Sequence, residues 1–240
     1  MRASQAMFTD DQPDLASPLD TWQETPQPDP EVMLAQLTAS EPLQRMQAAR
    51  AFCELQDERV GERLIPLLQD ACPLVRVSAA YALGRNPTPA AVPFLIQQWR
   101  HEANGYVRKG IVWALGYSRS AQAVPTLINA LQWDIPAVRL WAASALAQLL
   151  PAQPELLPQV VQTLCHTLQQ DPVAAVRSNC TWALGQIPAE QLPENLYLQV
   201  VEALRQGLQD GDAGVRDDSW TALLNLGVTA GLPTPDELAL

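Results

Sequence analysis

The feature that most constrains this chain is a ten-residue pattern that returns six times. Its plainest copy is VRKGIVWALG, Val107 to Gly116, and its relatives are VRVSAAYALG from Val75, VRLWAASALA from Val138, VRSNCTWALG from Val176 and VRDDSWTALL from Val215, with a weaker QRMQAARAFC from Gln44. The arginines of these copies, Arg45, Arg76, Arg108, Arg139, Arg177 and Arg216, are spaced by 31, 32, 31, 38 and 39 residues. A period in that range means that each unit buries its apolar face only by stacking on its neighbours.

Each copy reads as a helix. Counted from its arginine, positions −1, +3, +6 and +7 are apolar or small in nearly every copy, and at about 100° per residue they fall on one face. Position +6 is alanine in all six: Ala51, Ala82, Ala114, Ala145, Ala183 and Ala222. A small residue fixed on the buried stripe lets a neighbouring helix come close. Gly84, Gly116 and Gly185 follow at +8, where a left-handed helix cap is expected.

A second set of helical patterns alternates with the first, beginning near Glu31, Glu62, Ala91, Ala123, Leu156 and Leu196. Pro66, Pro93, Pro125 and Pro158 are expected near the starts of their helices, where a missing N–H costs least. The unit is therefore a helical hairpin, with a short turn carrying Asp70, Asp134, Asp171 or Asp210. The longer spacings add residues around Pro151 to Pro154 and Pro188 to Pro193, expected as loops that tolerate deletion. The chain divides into an acidic, proline-containing arm over 1–29, expected to be disordered, a repeat domain over 30–228 and a tail over 229–240. Trp22 is the residue of the arm that could anchor it.

Charge and composition narrow the function. Fifteen Lys and Arg against 26 Asp and Glu give a formal charge of −11, which repels phosphate backbones and argues against nucleic acid as a partner. No apolar run is long enough for a membrane span. The N-terminus lacks the basic and apolar regions of a signal peptide, so a cytoplasmic protein is expected. Four cysteines are scattered without a CxxC spacing: Cys180 falls at a core position, and Cys72 in a turn where it is expected to be accessible. The two histidines, His101 and His166, lie far apart, and no phosphate loop, zinc-protease or nucleophile-elbow pattern is present. No catalytic, metal-binding or cofactor-binding residue is assigned.

An aspartate six residues before the arginine of a Val-Arg pair, as in Asp70 to Arg76, Asp171 to Arg177 and Asp210 to Arg216, resembles the HEAT repeat. That resemblance implies an all-α, right-handed α-solenoid of about six hairpins. It also implies that the columns Asp70, Asp134, Asp171 and Asp210 and Arg76, Arg108, Arg139, Arg177 and Arg216 form a structural ladder between hairpins. Asp134 stands one residue closer to Arg139, and Glu102 occupies the position before Arg108, so the ladder is expected to be irregular there. The endings YALGR, WALGY and WALGQ resemble the subgroup named for phycobilisome lyase repeats. It includes the subunits of heterodimeric phycobilin lyases, bilin-removing proteins, and cyanobacterial assembly factors, one of which partners an iron–sulfur carrier. Deoxyhypusine hydroxylase, another HEAT-type protein, binds iron through repeated His-Glu pairs, whereas this chain has one, His101-Glu102.

The resemblance implies a protein partner held by a non-catalytic scaffold or assembly factor, with a bilin-lyase subunit as the alternative. A bilin or iron–sulfur cluster would then be met only through a partner. Second helices line the concave side of such solenoids. Position +5 should point away from the buried stripe, and it holds Tyr81, Trp113 and Trp182, with Ser144 and Thr221 in the other late copies; Trp141 lies at +2 beside the gap at Ser144. Large aromatics repeated on a solvent face carry binding energy at interfaces. Tyr81, Trp113, Trp141 and Trp182 are the expected partner-binding residues.

Overall fold

A computed structural model of the chain describes residues 28–150 and 153–234. The arm over 1–29, with Trp22, lies almost wholly outside the described residues, as do Pro151 and Ala152. The described residues form twelve α-helices and no strand. They pair as α1 (Pro30–Gln36) with α2 (Pro42–Ala51), α3 (Val60–Leu64) with α4 (Pro73–Arg85), α5 (Val92–His101) with α6 (Gly105–Tyr117), and α7 (Val124–Trp133) with α8 (Pro136–Leu149). The last two pairs are α9 (Leu157–Gln170) with α10 (Ala174–Gly185), and α11 (Glu194–Gly207) with α12 (Ala213–Asn225). This is an all-α solenoid of six hairpins.

Local chemistry sets the helix ends. Proline occupies the first turn of α1, α2, α4, α5, α7, α8 and α9, and Asn104 and Asp212 cap α6 and α12 by accepting from N–H groups of the first turn. Pro66 is the second residue of the 3-10 segment Ile65–Gln69, which continues directly from the five residues of α3; its missing N–H falls where the α-helical bonding ends.

The second helices α2, α4, α6, α8, α10 and α12 pack consecutively against one another, while the first helices touch more loosely. The arc therefore closes on the second-helix side. The alanine column explains the close approach. Ala82, Ala114, Ala145, Ala183 and Ala222 are all at most 2% exposed. The glycines two residues further along are not caps: Gly84 and Gly116 are inside their helices, Gly185 ends α10, and none has a positive φ. They are seats for the next repeat. A Cβ on Gly116 would come within 2.8 Å of the Ala145 Cβ, one on Gly185 within 2.8 Å of the Ala222 Cβ, and one on Gly84 within 3.1 Å of the Ala114 Cα. The left-handed glycine cap occurs instead at Gly227, φ +80°, where Val228 N–H bonds the Leu223 carbonyl at the end of α12.

The inserted segment before α11 is also packed. Ile187 and Leu192 are buried and Ala189 lies against the core, so the expectation of a dispensable loop is corrected there. At the far end, the described part of the tail folds back on α12, and Trp220 Nε1 donates to the Pro233 carbonyl at 3.0 Å.

Candidate functional site

One edge of the solenoid carries a continuous charged ladder. Arg45 donates to Asp70, Arg76 to Glu102, Arg108 to Asp134, Arg139 to Asp171 and Arg177 to Asp210, each at 2.6–2.9 Å and each reaching the following hairpin. The last four are bidentate, the geometry in which guanidinium and carboxylate fit best. Each arginine also uses Nη1 to hold a backbone carbonyl of the turn before its own helix: Ala39 for Arg45, Asp70 for Arg76, Glu102 for Arg108, Asp134 for Arg139, Asp171 for Arg177 and Asp210 for Arg216. The carboxylates in turn accept backbone N–H groups, Asp70 from Cys72, Glu102 from Asn104 and Asp171 from Val173.

The rungs between hairpins are unbroken where irregularity was expected, although Asp134 accepts the N–H of the next residue, Ile135, where the other carboxylates accept from two residues on. Glu102, one methylene longer than aspartate, reaches Arg76 with both oxygens and is itself 7% exposed. Arg45 belongs to the ladder as well, which the weak first repeat had obscured. Hydrogen bonds from the Arg45 guanidinium hold Asp70 below the usual carboxylate range, and Arg177 does the same for Asp210. Burial pushes the Glu102 carboxyl up, but Arg76, the Asn104 N–H and Gln98 together bring it below its ordinary value.

The second-helix face presents aromatics in an arrangement that differs from a solvent-facing row. Tyr81, Trp113 and Trp141 are half-buried, and Trp182 is the exposed one, at 41%. Trp113 leans back onto the preceding repeat, where a Cβ on Gly84 would run into its ring. At Tyr81 and Trp113, position +5 therefore points along the seam between helices, while at Trp182 and Thr221 it is exposed. Trp113 sits between Tyr81, with ring centroids 5.4 Å apart and planes tilted by 52°, and Tyr117, at 4.7 Å and 54°. Tyr117 was not singled out from sequence. Its place four residues after Trp113 on the same helix was the available signal. At the next seam, Lys109 of α6 places its Nζ 5.1 Å from the Trp141 ring centroid. Trp182 stands apart, beyond Ser144, whose hydroxyl accepts from Asn179 at 2.7 Å across the α8–α10 seam.

Two depressions of similar size flank the solenoid. One, of about 630 Å³, lies among α2, α4 and α6, floored by Met46, Val77, Tyr81 and Trp113 and rimmed by Arg50 and Arg85. Leu74 at its mouth is 62% exposed. The other, also about 630 Å³, lies on the first-helix side among α7, α9 and α11 and is lined largely by glutamines, with His166. Its polar lining supplies no aromatic anchor, so the α2–α4–α6 groove is the better candidate for a binding site.

The thiols and imidazoles do not converge. Cys165 and Cys180 are buried on α9 and α10, and burial pushes Cys165 up to about 12 and Cys180 higher still. Cys53 is half-buried and pushed to about 11, so these three are thiols rather than nucleophilic thiolates at neutral pH. Cys72, half-buried, is the N-cap residue of α4. His101 ends α5 and His166 is on α9. Among the described residues, no group of three or more His, Cys, Asp or Glu is placed to hold a metal ion, and no helix is long and apolar enough to cross a membrane.

The family model for HEAT repeats matches residues 30–116 and 93–185, and that for the PBS lyase HEAT-like repeat matches residues 176–210. Among solved structures, the chain is similar to an engineered protein, with a TM-score of 0.60 and 21% identity over 84% of this chain and 100% of that one. A designed armadillo repeat protein in complex with the peptide (KR)4 gives a TM-score of 0.59 and 18% identity over 82% and 98%. The complex of CpcE and CpcF of phycocyanin lyase from Nostoc sp. PCC7120 gives 0.58 and 24% over 86% and 80%. These likenesses concern the fold. No curated protein matches the chain.

Proposed function

The chain belongs to the HEAT-repeat family, and on that footing we propose that it is a non-catalytic scaffold or assembly factor that holds a partner protein against its second-helix face. The observation that carries this reading is the linked aromatic group Tyr81–Trp113–Tyr117 beside an open apolar groove, continued by Trp141 and by the exposed Trp182. Rigidly mounted aromatics lose little freedom on binding and supply large contact area, which is why they dominate interface energetics. The helices beneath them are fixed by the Gly–Ala seats and the charged ladder, so the surface is organised before a partner arrives. We place this activity in the assembly of iron–sulfur or photosynthetic complexes, with any cluster or bilin carried by the partner.

The test is affinity capture from the source cell with the native chain and with Trp182→Ala, followed by identification and quantitation of the captured protein. The reading expects one dominant partner whose capture falls with the substitution. Capture that is indifferent to Trp182→Ala, and equally to Leu74→Ser, speaks against it.

A second reading is favoured by the PBS lyase HEAT-like match over 176–210 and by the likeness to the CpcE–CpcF complex. Here the chain is one subunit of a bilin lyase or bilin-removing protein. Incubation with bilin and apo-phycobiliprotein separates the two, since a covalent, absorbing adduct formed without any added subunit defeats the scaffold reading.

A further inference from the structure

Charge is distributed over this chain against its overall sign. The chain has 26 carboxylates and a formal charge of −11, yet α2, α4, α6, α8 and α10 contain not one Asp or Glu, and every charged residue within them is a cation. The ladder arginines are committed to the hairpin edge. Arg50, Lys109 and Arg85, whose Nε also donates to the Cys53 carbonyl at 3.1 Å, lie on the second-helix face, all within the first three hairpins. Carboxylates return to these helices only at the far end, with Asp217 and Asp218 on α12.

The cations stand where the apolar surface is. Arg50 and Arg85 rim the groove floored by Met46, Val77, Tyr81 and Trp113, whose lining includes a single carboxylate, Glu54. Lys109 lies over Trp141 at the next seam. Long-range repulsion from the rest of the chain is screened beyond about 8 Å at physiological salt, whereas charges at the mouth of an apolar groove act at short range against low-dielectric walls. The sign that decides recognition is thus the local one.

We infer that the groove of the first three hairpins takes an acidic segment of a partner protein, with apolar or aromatic side chains seated over Tyr81 and Trp113 and carboxylates placed on Arg50, Arg85 and Lys109. The inference rests on the second-helix face being the binding surface and adds the chemistry of what it binds. A chain of this net charge would, by bulk electrostatics alone, select a basic partner, so the two expectations are opposite.

The experiment measures fluorescence anisotropy of three labelled peptides with the full-length protein at physiological salt. The peptides share Leu and Trp anchors and differ in the residues between them, Asp in one, Asn in the second and Lys in the third. The Asp peptide is expected to bind about tenfold more tightly than the Asn peptide and the Lys peptide most weakly. Arg50→Glu combined with Arg85→Glu should reverse the order of the Asp and Lys peptides; Arg50→Gln, which alters only an exposed side chain, should give the same trend at smaller size if the double variant melts early. Leu74→Ser should weaken all three. Equal binding of the Asp and Asn peptides, with loss in Leu74→Ser, overturns the acidic preference while leaving the groove reading intact. Tighter binding of the Lys peptide, an Asp preference untouched by the arginine substitutions, or no binding by any of the peptides overturns the inference.

Discussion

A single carboxylate shows how much one residue does here. Glu102 accepts both nitrogens of the Arg76 fork, the Asn104 N–H and the Gln98 amide, so it joins two hairpins and ties its own turn. Glu102→Gln keeps the shape and removes the charge. It should cost about 1.5–3 kcal/mol, the contribution of hydrogen bonds to a charged group, read as a lower denaturation midpoint. Acid should act on the ladder at Asp70, Glu102 and Asp210. Asp70, Glu102 and Asp210 sit below their ordinary values when folded, and Asp57, against Arg59, is held at about 2. A depressed folded value contributes stability that is complete above the unfolded value, near 4, and is lost as pH falls toward the folded one. Melting temperature should therefore be level from neutrality to about pH 5 and drop between about pH 4 and 2; a fall beginning near pH 6 would implicate other groups. The Asp and Arg columns were legible in sequence because the turn spacing repeats. Glu102 was not assigned a rung because a glutamate stands there in place of the repeated aspartate.

Among the elements, the Gly–Ala seat decides how closely second helices pack. Gly116→Ala forces a methyl to within 2.8 Å of the Ala145 Cβ and 2.9 Å of its Cα, and the backbone of α8 has no way to yield without moving its repeat. Overpacking of this kind costs about 1–3 kcal/mol, so thermal unfolding should shift down by several degrees, while Gly211→Ala, with nothing within 4 Å of the added carbon, should shift it little. Deleting Ala189 to Gln191 should likewise lower the melting midpoint, because Ile187 and Leu192 are buried on either side; an unchanged midpoint would mean that these residues repack freely. The hairpins and their buried stripe were readable from the 3.6-residue period. The role of the glycines was not, since a capping glycine and a close-packing glycine occupy the same place after an apolar run. What distinguishes them is the partner helix, whose alanine at +6 was visible in sequence while its register against the glycine was not. Position +5 divides for the same reason. Trp182 and Thr221 are turned to solvent, as on an isolated helix, whereas at Tyr81 and Trp113 the packed neighbours take the ring into the seam.

At the scale of the whole molecule, six hairpins stacked in one direction place similar positions in rows, and the rows carry different properties. The ladder runs along one edge, the aromatics and cations lie on the second-helix face, and the glutamine-lined depression lies on the other side. The repeat predicts that rows exist, and its copies from Gln44 to Gly185 already lack Asp and Glu, but only the stacked arrangement gathers their cations around one apolar groove. The central claim is that recognition occurs on that face, and exposed aromatics on both sides of the solenoid allow a direct test. Trp182 is 41% exposed on α10, Phe94 is 45% exposed on α5 and Trp133 is 79% exposed at the end of α7. Trp113 is less suitable as a single probe because its ring fills the space over Gly84, and Trp113→Ala should itself cost about 2 kcal/mol of stability. The decisive measurement is the affinity of the captured partner for Trp182→Ala, Phe94→Ala and Trp133→Ala, each with its melting temperature. The account predicts a loss of about 2 kcal/mol, roughly thirtyfold, for Trp182→Ala alone, with all three variants melting close to the native chain. Full affinity in Trp182→Ala together with a comparable loss in Phe94→Ala or Trp133→Ala would contradict it and move recognition to the first-helix side.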